Sequence, residues 1–249
     1  MYPFESLRTA WDEFYSAVAG GVLGAPDTLR WDLDAPDTWL SPQLTIGMAC
    51  GWPLVTELRD RVRVIGTFAY DIGGASSHTY RSVIVARDAA TVADLAHRTL
   101  AFNSTDSMSG YVSAISALAA TATSWPGPMR ETGAHLASVE AVRGGLADIA
   151  SIDALTWAYT QRDAPEMLQG LVIIDRGPEV PHLPLIAGLE TSDAALTEWR
   201  TALAEAVHDP ALAGPLGTLL IQGFVALGMN DYERALAPLR HIGVHEHPS

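Results

Sequence analysis

The chain has 249 residues, 48% of them hydrophobic and 18% charged, enough for one large α/β domain or two small lobes and too apolar for wholesale disorder. Its 29 acidic side chains outnumber 15 basic ones, for a net charge of -14, and every basic residue is an arginine. That balance argues against nucleic acid or an anionic membrane as partner, and the lack of lysine excludes a P-loop and a Schiff base.

Phe4, Leu7, Trp11, Phe14, Tyr15 and Val18 recur at helical spacing and predict an amphipathic first helix ending near Gly20-Gly21. Short apolar runs near Leu29–Trp31, at Leu44–Met48, at Val62–Ile65 and at Ser82–Ala86 have the length of buried strands, the last preceded by the loop DIGGASSHTY. Thr99–Phe102 reads as a strand feeding a helix over Ser107–Ala120, and Ser138–Gly144 as a shorter helix. Ile149–Ile152 is strand-like, and Thr156–Tyr159 opens another helix or turn. Strands at Leu171–Ile174 and Leu183–Ile186 are joined by DRGPEVPH. Two helices, about Asp193–Val207 and Leu212–Leu227, precede a short amphipathic piece and a polar tail. The alternation predicts an α/β fold with mostly parallel sheets. Two crossings, near residues 80–87 and 171–186, predict a discontinuous first lobe (1–82 plus 184–249) around an inserted second lobe (83–183), with a ligand cleft between them.

Three places could carry chemistry. At Asn103–Gly110 a loop leaves a strand and enters a helix at Ser107, where free amides converge. Ser107 and Ser109 add hydroxyls, and Gly110 lets a ligand approach the backbone. The plainer alternative is that Asp106 or Ser107 is only a helix cap. At Thr132-Gly133-Ala134-His135, followed by Ser138, the imidazole could donate to an anion, with binding then titrating around roughly pH 6–7; a cap or surface histidine is the alternative. Asp153 ends a strand and begins a helix, so it either caps that helix or accepts a proton from the ligand or pairs with its amine. Trp52 and Tyr80 could wall a cleft, or simply pack.

Together these residues resemble the phosphate/phosphite/phosphonate substrate-binding proteins of ABC transporters, which have the type 2 periplasmic-binding-protein fold. The matching pieces are CGWP at 50–53, TYRSVIVAR at 79–87, AFNSTDSMSG at 101–110 and TGAHLASVEAVRGGLADIASID at 132–153, with GF and DY within 223–232. The resemblance implies that Ser107 and Ser109 hold an anionic head group from the helix N-terminus, that His135 adds a donor, and that Asp153 contacts the ligand from the facing side. Trp52 and Tyr80 fall where the family places aromatic walls. Met108 stands where phosphonate binders often carry a threonine, so one hydroxyl is missing. The implied function is a non-enzymatic binder of a small oxyanion or organophosphorus ligand, with no cofactor or metal and an ABC permease or a cytoplasmic protein as partner.

Two other classes compete. Ser107 or Ser109, His135 and Asp153 could form a hydrolase triad, although T-D-S-M-S-G lacks the first glycine of a nucleophile elbow; thiamine-precursor biosynthesis also occurs on this fold. A cytoplasmic ligand sensor is the third class. The tail histidines His241, His245 and His247 read as a flexible terminus rather than a metal site. The single cysteine, Cys50, forbids an internal disulfide, and no window reaches 18 apolar residues. The N-terminus lacks a signal-peptide pattern, which predicts a leaderless cytoplasmic member of the family, or a periplasmic one if the natural start lies upstream.

Overall fold

The computed structural model describes residues 4–32, 35–72, 78–119 and 122–242. Contacts divide the chain into two compact units, Met1–Thr79 with Pro181–Ala235 and Tyr80–Val180 with Leu236–Ser249. The piece from Leu236 on, which carries buried Leu236, Leu239 and Ile242, belongs to the second unit, whereas the sequence reading assigned the whole C-terminus to the first.

The first unit is built on a four-stranded sheet in the order Gly47–Met48, Leu185–Gly188, Val62–Tyr70, Ile221–Val225. Every pairing in it is antiparallel, which corrects the expectation of mostly parallel sheets. The helix Arg8–Ala19 buries Trp11, Phe14, Tyr15 and Val18, as its periodicity predicts. Trp11 and Phe14 meet Phe68 of the central strand at 5.9 and 5.5 Å between ring centroids. Arg200, from the helix Asp193–Ala206, donates to the carbonyls of Ile65 and Val64 at 2.9 and 3.0 Å, fixing that helix on the central strand.

Three expectations for this unit fail. Leu29–Trp31 forms no strand; Trp31 instead donates its indole N–H to Asp12 at 2.8 Å. Of Leu44–Met48 only the last two residues pair. The run Leu212–Leu227 is not one helix but a short helix, Ala213–Thr218, a left-handed Leu220 (φ 55°) and the strand Ile221–Val225. The far half of the Val62–Tyr70 strand needs a hydrogen-bonding neighbour, and IQGFV supplies it.

The second unit has a five-stranded sheet in the order Met129–Glu131, Leu100–Phe102, Ile149–Ile152, Thr79–Ala86, Val172–Pro181. The first three run parallel, and Thr79–Ala86 is antiparallel to Ile149–Ile152. Val83, Val85, Ala101, Ala150 and Ile152 form the apolar side of this sheet, packed with Val139 and Val142 from the helix His135–Arg143. The strand predicted at Leu171–Ile174 continues through DRGPEVP to Pro181. Gly177 permits this: a β-carbon there would lie 2.9 Å from Ser113. Residues 73–77 of the DIGGASSHTY loop and the tail histidines His245 and His247 lie outside the described residues. Among the described residues no cluster of His, Cys, Asp or Glu could hold a metal, and no helix is long and apolar enough to cross a membrane.

Candidate functional site

The three parallel strands of the second unit each lead into a helix, so three helix N-termini gather at one edge of the sheet. The carboxyl edge of parallel strands is where open α/β sheets bind ligands, because first-turn amides there have no intrahelical acceptor.

Leu100–Phe102 leads through Asn103 to Ser107, which has an extended backbone (φ -81°, ψ 120°) and accepts the Gly110 amide on its hydroxyl at 3.0 Å. The helix opens with a π-helical turn, Met108–Val112, in which the Tyr111 and Val112 amides both reach the Ser107 carbonyl, at 3.1 and 3.0 Å. Such turns recur at functional sites, since the wider ring displaces a residue from regular helix packing. Here the sheet side of the turn is tied down as well: the Ser151 hydroxyl donates to the Ser109 carbonyl at 2.5 Å.

The second N-terminus follows Met129–Glu131. The Thr132 and Gly133 amides extend the parallel pairing onto the Phe102 and Asn103 carbonyls, at 2.9 and 3.0 Å, and Gly133 takes a left-handed φ of 80°. The helix begins at His135, one turn earlier than predicted, and Ala134 gives it no side-chain cap. Its first-turn amides are therefore uncapped by any side chain. Ser138 is buried, and its hydroxyl shares a 2.7 Å hydrogen bond with Thr132; both hydroxyls serve the fold and are not free for a ligand.

His135 and Ser109 come together across these two segments. Ser109 Oγ lies 2.9 Å from His135 Nε2, and Ser109 is only 6% exposed. The partly buried imidazole keeps Nδ1 enclosed, near the Ser151 backbone but without a well-formed hydrogen bond. Burial pushes its pKa below the usual histidine value, against the smaller opposing pull of the Asp153 carboxylate and the Ser151 backbone. The ring is thus neutral at pH 7 in the free protein, which moves the pH window expected from the sequence downward.

Asp153 caps the third helix, Ala154–Asp163: its Oδ1 accepts the Thr156 amide at 2.8 Å. The capping alternative is the one realised, and a carboxylate already occupies that N-terminus. Among the described residues Asp153 makes no hydrogen bond to His135, whose Nδ1 stays unpartnered. Met108 is buried, so Ser107 and Ser109 supply the hydroxyls of this turn. Tyr80 is buried in the second unit. Trp52 is 2% exposed in the helix Gly51–Thr56 of the first unit, with its indole N–H enclosed and unpartnered.

The sequence reading missed Asn103 and Ser151. Asn103 Oδ1 is enclosed without a partner and would lie 1.9 Å from a β-carbon on Gly110. A polar residue following a strand that leads to S-x-S-G is the available signal for it. Ser151, inside an apolar strand, gives none.

The titration of His135 has a consequence for stability. Its folded pKa lies below the unfolded value of about 6.5, so on acidification the unfolded chain binds the proton first and the folded state loses stability. Above about pH 6.5 the contribution is complete; it declines from there down to the folded pKa and then levels off. Urea unfolding of wild type and His135→Gln from pH 8 to 5 should show the wild-type advantage shrinking across that window. A pH-independent difference would contradict the buried neutral imidazole.

Comparison with known proteins agrees with this architecture. Residues 41–232 match the model of the family described as ABC transporter, phosphonate, periplasmic substrate-binding protein. Among solved structures, PhnD1 from Prochlorococcus marinus (MIT 9301), in complex with methylphosphonate, superposes with a TM-score of 0.74 at 13% identity, covering 94% of this chain and 92% of that one. The phosphonate-transporter binding component PA3383 from Pseudomonas aeruginosa gives 0.73 at 15% identity, covering 92% and 78%. XAC2383 from Xanthomonas citri, bound to ATP, gives 0.70 at 16% identity, covering 95% and 94%. At these identities the structures show a shared fold. No sequence among the curated proteins is similar enough to count as a match. The family match spans most of the chain, and the chain therefore belongs to the phosphonate substrate-binding protein family of ABC transporters.

Proposed function

We propose that this protein is a solute-binding component that holds the anionic head of a small phosphonate- or phosphate-like ligand on the second unit. Ser109 and His135 would act with the first-turn amides of their two helices. The observation that carries this reading is the 2.9 Å contact between Ser109 Oγ and His135 Nε2, which brings two helix N-termini from separate segments onto one spot. An oxyanion there would receive hydroxyl, imidazole and amide donors without a lysine or arginine, each charge-assisted bond contributing about 1.5–3 kcal/mol. The methylphosphonate complex of PhnD1, which shares this fold, supports phosphonates as the first ligands to test. The place of the family in ABC transport makes a permease the partner to seek.

A thermal-unfolding screen against methylphosphonate, phosphate, phosphite and methanesulfonate tests the reading. A ligand at 100 times its Kd should stabilise the protein by about 2.7 kcal/mol. Ser109→Ala should weaken that ligand about 10- to 100-fold, the loss of one charge-assisted bond. The reading fails if no phosphorus oxyanion shifts the transition. Turnover of p-nitrophenyl acetate that disappears in Ser109→Ala would instead favour a hydrolase.

A further inference from the structure

The first unit contains a cavity of about 450 Å³ whose lining residues all belong to that unit. This is within the usual size of small-molecule sites. Part of its wall, Val22–Ala25 with Trp39 and Leu40, precedes the family-matched region, and the rest, including Leu44, Arg61 and Trp199, lies inside it. The cavity is thus made where the N-terminal segment meets the family-matched region, in a different unit from Ser109 and His135.

Its chemistry is that of a binding site rather than a packing defect. Trp39 is held in place by donating its indole N–H to the Met48 carbonyl at 2.8 Å, and Trp199 is buried. Three leucines of the lining are exposed: Leu23 at 92%, Leu189 and Leu40. Exposed apolar side chains gathered at the mouth of a cavity mark ligand sites more than scattered ones do. Arg61 supplies a cation. Arg59 and Arg63 beside it pair with Glu233 and Asp193, whereas Arg61 makes no ion pair among the described residues. Glu190, also in the lining, opposes a second negative charge on the ligand.

We propose that this cavity is a second ligand site, for a small apolar monocarboxylate with an aromatic or branched aliphatic body. The body lies against Trp39, Trp199 and Leu44, and the carboxylate meets Arg61. The proposal is independent of the oxyanion reading. The test is titration of the full chain with 4-phenylbutyrate and with its primary amide, followed by tryptophan fluorescence and thermal unfolding. Saturable binding that favours the acid is expected. Arg61→Gln should lower affinity for the acid about tenfold, the size of one partly screened charge-assisted contact, and leave that for the amide unchanged. Ala195→Phe, which fills the cavity, should remove both. No saturable binding by either probe, acid binding indifferent to Arg61→Gln, or binding that persists in Ala195→Phe would overturn the proposal. So would a dimer in solution that Leu23→Glu dissociates, since the cavity would then belong to a second copy.

Discussion

Gly110→Ala should lose about 2–4 kcal/mol of stability, the sum of an overpacked site and a disturbed helix cap, and with it the oxyanion binding proposed above. The added β-carbon would sit 1.9 Å from Asn103 Oδ1 and 3.2 Å from Ser107 Oγ, the atom that caps the helix. Relief requires Asn103 to swing out. Its backbone carbonyl receives the Gly133 amide, so any shift beyond rotation of the side chain would reach the segment that presents His135. The Asn103→Ala, Gly110→Ala double variant isolates the cause. It removes the colliding oxygen, which has no hydrogen-bond partner of its own, so the two substitutions should couple favourably by about 1–2 kcal/mol. Urea unfolding of the four proteins measures this. Equal stability of Gly110→Ala and wild type would mean that the Asn103 side chain does not rest on this glycine.

Gly66→Ala should be still more damaging, by about 3 kcal/mol or more, because the obstacle is backbone. A β-carbon at Gly66 would lie 2.4 Å from the Val225 carbonyl oxygen and 2.5 Å from the Phe224 ring. The ring can turn aside, but the carbonyl cannot move without breaking the pairing of Thr67 with Val225. Phe224→Ala in the Gly66→Ala background should therefore recover little. That contrast with the Asn103 rescue separates a side-chain collision from a backbone one. Full rescue by Phe224→Ala, or a loss below about 0.5 kcal/mol, the range of ordinary surface substitutions, would show that Ile221–Val225 does not lie against the central strand in this register.

Much of the candidate site was legible because its devices are local. A hydroxyl before a helix, a glycine three residues later and an apolar strand leading in are read from neighbouring residues, and the Ser107 cap and the Leu100–Phe102 strand follow from them. The helix at Arg8–Ala19 declared itself through its period. The run from Leu212 to Leu227 misled because a short apolar stretch suits a helix and a buried strand alike. Nothing local marks Leu220 as the left-handed residue that separates the two. Thr132 and Ser138 flank His135 in sequence, and only the fold shows that they bond to each other while Thr132 closes its loop on the Phe102 carbonyl.

By itself the sequence determined the helices with a clear apolar stripe, the acidic, lysine-free composition that rules out several chemistries, and the strand-loop-helix segments that present Ser107, Ser109, His135 and Asp153 at helix starts. Tertiary structure alone decided the antiparallel order of the first sheet, the bond from Ser109 to His135, the pressure of Asn103 on Gly110 and the cavity around Trp39 and Trp199. The reason is that caps and periods depend on residues a few positions apart. Pairing partners, enclosed atoms and cavities depend on which distant segments end up adjacent, and that is settled only when the whole core is packed.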